Sequence, residues 1–327
     1  MVLYHVAAPI LSETRYASGS LWWTANLAAA AASLCVPLFV MVSGSLLIQE
    51  ARDLAYGRFY RKRCKLIFPL IFWTALYILI RIMSPDREGW NVYLSNIFRG
   101  APYYHLWYLY MLPGLYAATP VFAAYSKKVT QGRRIRLLAE ILILSSAFSM
   151  FLRYHKMEEY HSILTRFIPY LGYYMAGYEL SRVELRKNAR RISAGTALAS
   201  VAAIALTSRI LWPVAGGNKA TLVYVSLSPF VVVYALSFFL FMRSQFTTSG
   251  YSDSFTNKLI YALAGSAFGI YAVHPMLLRV LAALNIPGAA LHPVIAVPAV
   301  TAFVFAWSFL AATGIQKVPL LRKTVNP

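Results

Sequence analysis

The sequence is short of acidic side chains, of charge in general and of cysteine. Asp and Glu number 11 among 327 residues, and charged residues make up only 13%, where a soluble domain carries about 25%. That deficit excludes an ordinary water-soluble domain, whose surface needs many more charged side chains. The two cysteines, Cys35 and Cys64, fall in different regions and suggest no disulfide framework. No G-x-S-x-G elbow occurs, since Val42-Ser43-Gly44-Ser45 lacks the first glycine. A Walker loop, a dinucleotide fingerprint and zinc-ligand spacing are absent too, so no metal is expected in the chemistry. Nothing reads as a cleavable signal peptide, an internal repeat or a low-complexity tract.

What the chain has instead is apolar length: 59% of it is hydrophobic. A bilayer crossing needs roughly 20 apolar residues. Stretches of that kind lie near 33–49, 65–83, 104–125, 135–152, 162–180, 192–211, 221–242, 258–282 and 293–315. A shorter apolar piece, Met1–Leu11, precedes them and is about half a span. The expectation is an all-α, polytopic membrane helix bundle of about ten spans, forming one integral membrane domain over 1–327. Its first span is expected to be truncated, with its first half missing.

The net charge of +20 would in isolation suggest nucleic acid, but its placement argues for no nucleic-acid partner. Basic residues collect in alternate loops: Arg52, Arg58, Arg61, Lys62, Arg63 and Lys65; Lys127, Lys128, Arg133, Arg134 and Arg136; Arg182, Arg186, Lys187, Arg190 and Arg191; Arg243 and Lys258; and Lys317, Arg322 and Lys323 in the tail. The other loops are poorer in them and hold Glu13, Asp86, Glu88, Glu158 and Glu159. The positive-inside rule then makes the basic loops and the C-terminus cytoplasmic. Binding of anionic lipid head groups is a by-product.

Orientation fixes depth. His5 lies about 10 Å before the polar end of the first span, at the helical rise. His105 opens the span near 104–125 at its outer end, and His274 lies past the middle of an outward-running span. Arg166 and Arg279 sit at similar depth. A titratable side chain in a membrane usually faces an interior cavity and works there, and imidazole exchanges a proton near neutral pH. The alternatives are a helix–helix hydrogen bond or snorkelling to the interface. Trp22, Trp23, Trp90, Trp107 and Trp212 read as an interfacial belt, or as a platform for stacking sugars. Glu140 and Glu179 read as helix-end residues paired with loop Arg or Lys, and Ser43-Gly44 as a close helix–helix contact.

Several of these residues lie in segments that resemble a known family. Val36-Pro37-Leu38-Phe39-Val40-Met41-Val42-Ser43-Gly44, Tyr104-His105-Leu106-Trp107-Tyr108 and Phe268-Gly269-Ile270-Tyr271-Ala272-Val273-His274 are similar to landmarks of the acyltransferase-3 family of membrane acyltransferases. So is a basic pair ahead of a span with an early proline, here Lys62, Lys65 and Pro69. The soluble glycerol-phosphate acyltransferase pattern, His with Asp five residues on, is missing. Within the family the chain looks closest to the branch that O-acetylates bacterial surface polysaccharides. The family also carries an arginine ten residues before the first-span histidine, a position upstream of Met1 here. It often has another arginine near Ser33-Leu34-Cys35.

The resemblance implies a ten-helix bundle in the bacterial inner (plasma) membrane. It would take acetyl from cytoplasmic acetyl-CoA, with no permanently bound cofactor, and pass it to a hydroxyl of a glycan or lipid-linked sugar acceptor. His5 is the implied essential residue, as general base or as transient acetyl carrier. His105 and His274 would orient His5 or the acceptor. Arg166 and Arg279 would steady an oxyanion or an acceptor phosphate, and Arg58, Lys62 and Lys65 would meet the CoA phosphates. Lysine keeps the charge there without bidentate geometry. The competing class is a transporter or flippase of lipid-linked sugars, against which stands the lack of an inverted repeat. A membrane-bound O-acyltransferase of unrelated fold would also use an intramembrane histidine.

Overall fold

A computed structural model describes residues 1–12, 19–84, 87–155, 157, 162–185, 187–215, 217–246, 255–284 and 293–326. Glu13, Asp86, Glu158, Glu159 and Arg186 lie outside them. Every regular element among the described residues is helical. The chain opens with α1 (Val2–Ser12), α2 (Ser20–Ala32), α3 (Cys35–Asp53), α4 (Tyr56–Arg63) and α5 (Ile67–Ile82). It continues through α6 (Trp90–Phe98), α7 (Trp107–Lys128), α8 (Gln131–Tyr154), α9 (Leu171–Leu180) and α10 (Ala189–Ala215). The last elements are α11 (Gly217–Ala220), α12 (Pro229–Phe246), α13 (Phe255–Ala283), α14 (Pro293–Lys317) and α15 (Pro319–Val325).

Among the described residues, seven helical stretches are long and apolar enough to cross a membrane: Ser20–Asp53, Tyr56–Ile82, Gln131–Tyr154, Ala189–Pro213, Thr221–Gln245, Asn257–Ala283 and Val294–Lys317. The remaining expected spans are α1, which is short, and α7 and α9, which are interior helices. Every residue of α9 from Gly172 to Glu179 is buried. A helix enclosed on all sides has no lipid-facing stripe to fill with Leu and Ile, and α9 carries Gly and Tyr instead. By contrast only 22% of the apolar window of α8, and of α14, is buried. Two elements go beyond the sequence reading. The segment before Ser33 forms α2, a helix that packs on α1, and the loop before His105 contains α6.

The packing of α3 on α9 shows why small residues are needed. A Cβ on Gly44 would lie 1.9 Å from the Tyr174 carbonyl oxygen, and one on Gly177 would lie 1.9 Å from that of Met41. The two backbones touch, so Ser43-Gly44 does mark a close helix contact. Buried tyrosines then tie the bundle by their hydroxyls, as buried polar tips require. Tyr174 pairs with Thr119 at 2.7 Å, Tyr173 donates to the Ser226 carbonyl at 2.5 Å, and Tyr224 donates to Asn26 Oδ1 at 2.5 Å. The tail is also held: Trp73 Nε1 donates to the Thr324 carbonyl at 2.8 Å, and Val325 is buried.

The basic segments gather at one end. Lys127 Nζ donates to the Arg52 carbonyl at 2.7 Å, Arg182 to Gln49 Oε1 at 2.6 Å and Arg243 to the Leu180 carbonyl at 2.6 Å. Glu179 is 2% exposed. It pairs with Arg134 at 2.5 and 3.1 Å, as a helix-end carboxylate was expected to do. Loops far apart in sequence thus share one face of the bundle. The tryptophan belt needs correction. Trp22 is fully buried and packs edge-on against the buried Trp212 at 5.6 Å, whereas Trp90 is exposed. The α1–α2 pair encloses a surface that the sequence reading had placed at the interface.

Candidate active site

The end of the bundle opposite the basic face is where the histidines meet. His5 comes from α1, His274 from α13, and His105 from the turn that leads into α7. The His5 and His274 rings stack at 5.4 Å with 27° between planes, and His105 approaches His274 at 5.7 Å, edge-on. His105 and His274 are fully or almost fully buried, and His5 is partly exposed. Three residues about 100 and 170 positions apart thus form one cluster.

Each ring is held by local structure. Gly100, with φ +65°, turns the chain out of α6, a conformation that suits glycine. Arg81 of α5 donates to the Pro102 carbonyl at 3.0 Å, and Tyr271 donates to the His105 carbonyl at 2.9 Å. These bonds fix the His105 turn. Tyr77, Tyr103, Tyr104 and Tyr271 then surround the imidazole, with centroids 4.8 to 5.6 Å away. Tyr77 spends its hydroxyl on the Ala272 carbonyl at 2.6 Å. Neither ring nitrogen of His105 has a hydrogen-bond partner among the described residues.

His274 is set by the proline after it. Pro275 lies inside α13 and has no N–H to give to the carbonyl four residues back, that of Tyr271. His274 Nδ1 occupies the place of that donor, 2.8 Å from the Tyr271 carbonyl and 3.1 Å from that of Ile270. A carbonyl oxygen only accepts, so Nδ1 carries the proton and Nε2 keeps the lone pair in the neutral ring. Nε2 has no hydrogen-bond partner among the described residues.

His5 and His105 open onto a cavity of about 510 Å³. That volume is within the usual range for small-molecule sites, roughly 300–1,000 Å³. Arg166 lines it, as do Arg99 and Arg153, which the sequence reading did not single out. Arg166 donates to the Arg99 carbonyl at 2.9 and 2.5 Å. The signal for Arg153 was its place at the end of α8, one short loop before Arg166. Trp107 and Tyr170 line the same space, with rings 5.6 Å apart. Arg279 is elsewhere: it borders a second cleft, of about 550 Å³, which shares His5 and Tyr104 with the first.

The expected donor residues lie at the basic end. Arg58, Lys62 and Lys65 are all exposed, on α4 and the turn after it. Lys62 pairs with Glu50 at 2.9 Å. Arg63 also pairs with Glu50, and its guanidinium packs 5.4 Å from the Phe59 ring and 6.0 Å from the Tyr116 ring. Arg63 is therefore the inward-facing member of the cluster, which alternation of charge alone did not reveal. From Lys65, in the turn that leads into α5, to Tyr77 on that helix is about 18 Å at the helical rise.

A family model described as an acyltransferase domain matches residues 1–313, nearly the whole chain. No curated protein matches the chain, and no solved structure does.

Proposed function

We propose that this chain, which belongs to the acyltransferase-3 family of membrane acyltransferases, moves acetyl from cytoplasmic acetyl-CoA to a hydroxyl of a surface polysaccharide or lipid-linked sugar. The observation that carries this reading is the meeting of His5, His105 and His274 in one cluster, of which His5 and His105 line a cavity. In this reading α1, α7 and α9 also cross the membrane, which makes ten spans, and the basic end faces the cytoplasm with the C-terminus. The membrane is the bacterial inner membrane, and the branch is that of the polysaccharide O-acetyltransferases.

The chemistry requires a base. His5 takes the proton of the acceptor hydroxyl as its oxygen attacks the thioester carbonyl. The tetrahedral adduct expels CoA thiolate, which recovers the proton, and the ester remains on the sugar. General base catalysis of this kind is worth on the order of 10² to 10⁴ in rate. The His274 ring, stacked on His5 and anchored through Nδ1 to its own helix, holds the His5 ring in place. Arg58, Lys62 and Lys65 meet the phosphates of CoA at the other end, and Arg166 and Arg279 flank the acceptor side.

The test is transfer of labelled acetyl from acetyl-CoA to a glycan fraction by membranes that hold the protein. His5→Ala is expected to abolish it at unchanged protein abundance. Retained transfer in that variant would remove His5 from the chemistry. Movement of lipid-linked sugar without any acetylation would establish the transporter class instead.

A further inference from the structure

We infer that the cleft between α1 and α13 is a side entrance for an acceptor carried on a lipid phosphate, which fixes the acceptor class as a lipid-linked sugar. The cleft, of about 550 Å³, starts at His5 and runs toward the C-terminal ends of both helices. Its walls come from the turn after each stacked histidine: Ala8 and Pro9 follow His5, and Pro275, Leu278 and Arg279 follow His274. Four of these side chains are saturated carbon. Arg279 is half-buried, and no carboxylate stands among the described residues lining the cleft. A lipid phosphate brings the two chemistries that such a surface takes. Its alkyl chain covers the apolar walls, and its phosphate matches the guanidinium fork. A cation at membrane depth is costly, and a phosphate beside it lowers that cost.

The cleft is continuous with the candidate active site. His5 and Tyr104 line both the cleft and the cavity of about 510 Å³, and their rings meet edge-on at 4.9 Å. The two spaces therefore join at the histidine that carries the proposed chemistry. Tyr104 is 48% exposed, so this junction lies at the surface of the bundle. A lipid with its chain on the cleft walls and its phosphate on Arg279 holds the attached sugar over the junction, with the cavity beyond to receive the ring. There Trp107 and Tyr170 offer aromatic faces to its C–H face. A polysaccharide arriving from water would need the cavity alone; a second space with apolar walls and one arginine suits a molecule that arrives from the bilayer. The lipid site stands on the cleft; that the bound lipid is an acetyl acceptor rests on the acetyl-transfer reading.

Two readouts test this. In the first, dodecyl phosphate with a diazirine in its chain is photolysed with the purified full chain in detergent, and the labelled peptides are mapped by mass spectrometry. Saturable labelling of α1 and of the last turns of α13 is expected. It should be at least fivefold weaker with the matching dodecanol probe, a comparison that needs no variant. The same loss is expected in L278W, which fills the cleft, and in R279Q, with R279K largely restoring the label. Labelling by the alcohol as strong as by the phosphate, or spread evenly over the exposed helices, would overturn the site. Unlabelled dodecyl diphosphate-linked N-acetylglucosamine should displace the probe at a concentration at least tenfold below that needed for phosphatidylglycerol. Equal displacement by the two would make the cleft a general lipid contact and overturn the acceptor assignment. The second readout compares acetyl transfer to the same lipid-linked sugar with transfer to the methyl glycoside of N-acetylglucosamine. At least tenfold higher kcat/KM for the lipid-linked acceptor is expected, with that ratio falling at least fivefold in L278W. Equal use of both acceptors by the parent chain would overturn the acceptor class. Phosphate-dependent labelling without transfer to either acceptor would overturn the acetyl-transfer reading and leave the lipid entrance standing.

Discussion

At the basic end Arg134 is held by Glu179 and by the Ser126 and Val129 carbonyls, whereas at the cavity end Arg99, Arg153 and Arg166 border a space without a carboxylate among its described lining. The two ends set the same side chain in different surroundings. An arginine bonded to a buried glutamate and to loop carbonyls closes the ends of helices whose last carbonyls would otherwise go unmet. Arg166 at the cavity end is held by a backbone carbonyl instead, that of Arg99, while it lines the cavity. The lesson is that a net charge of +20 includes arginines paired with a buried carboxylate and arginines that line a cavity.

Substitutions that remove one partner at the basic end should give the largest effect. Glu179 is 2% exposed, and its loss leaves Arg134 without its counter-ion in a poorly solvated site. Such a change costs roughly 3–5 kcal/mol. Glu179→Ala is therefore expected to collapse the folded yield and the thermal midpoint in detergent, and His5→Ala to leave both unchanged while abolishing acetyl transfer. If Glu179→Ala is as stable as the parent, the division between structural and chemical charge fails at its strongest point.

His274→Ala tests the other side of the comparison. It removes the ring stacked on His5 at 5.4 Å and leaves a void of one side chain in a cluster with few packing alternatives. A loss of about 10²-fold in kcat is expected, at the lower end of what positioned proton-transfer groups contribute. The fall should appear in kcat with little change in KM for acetyl-CoA. A change confined to KM for acetyl-CoA would mean that the cluster serves the donor.

The sequence reading carried the helical class, the shared face of the basic loops and the common level of the three histidines in the bundle, because each is written in period, charge or distance from a helix end. Periodicity did not reveal α2, since its Ala-rich run and two tryptophans follow a polar turn and read as interface. The stretch 162–180 read as a span, but its enclosure did not show: Gly172 to Glu179 are all buried, and an apolar run gives the same signal whether it faces lipid or protein. At the site, Arg153 and Arg63 escaped notice because a helix-end arginine has the same sequence signal whether it faces lipid head groups, a carboxylate or a cavity. Only the fold separates these.

A smaller effect should come from the exposed pair at the basic end. K62E/K65E places two carboxylates where phosphates of acetyl-CoA would arrive. Charges some 18 Å along α5 from Tyr77 are beyond a Debye length of about 8 Å in physiological salt, so acceptor binding should not respond. The expectation is a several-fold rise in KM for acetyl-CoA at an unchanged KM for acceptor, after the C-terminus is shown to lie on the same side as in the parent. Lys62→Gln is the milder control, since it also releases Glu50 from one partner. An unchanged KM for acetyl-CoA in K62E/K65E would restrict both lysines to topology and direct attention to Lys127–Arg136 or Arg182–Arg191.

The smallest effect tests the finest feature of the cavity end, the tautomer of His274. Pro275→Ala restores a backbone N–H that can bond to the Tyr271 carbonyl in the ordinary helical way. That carbonyl is now bonded by His274 Nδ1 at 2.8 Å. With the restored N–H competing for it, the imidazole keeps only the longer contact to Ile270, at 3.1 Å. A neutral hydrogen bond is worth about 1 kcal/mol net, so the preference for a proton on Nδ1 should weaken by about fivefold. The expected outcome is a two- to fivefold lower kcat, unchanged KM values and equal or higher thermal stability, since proline in a helix interior is unfavourable. Nitrogen NMR of labelled histidine should show the Nε2–H form of His274 gaining population. If kcat falls without that redistribution, Pro275 acts by bending α13 and not by setting which nitrogen of His274 keeps its lone pair.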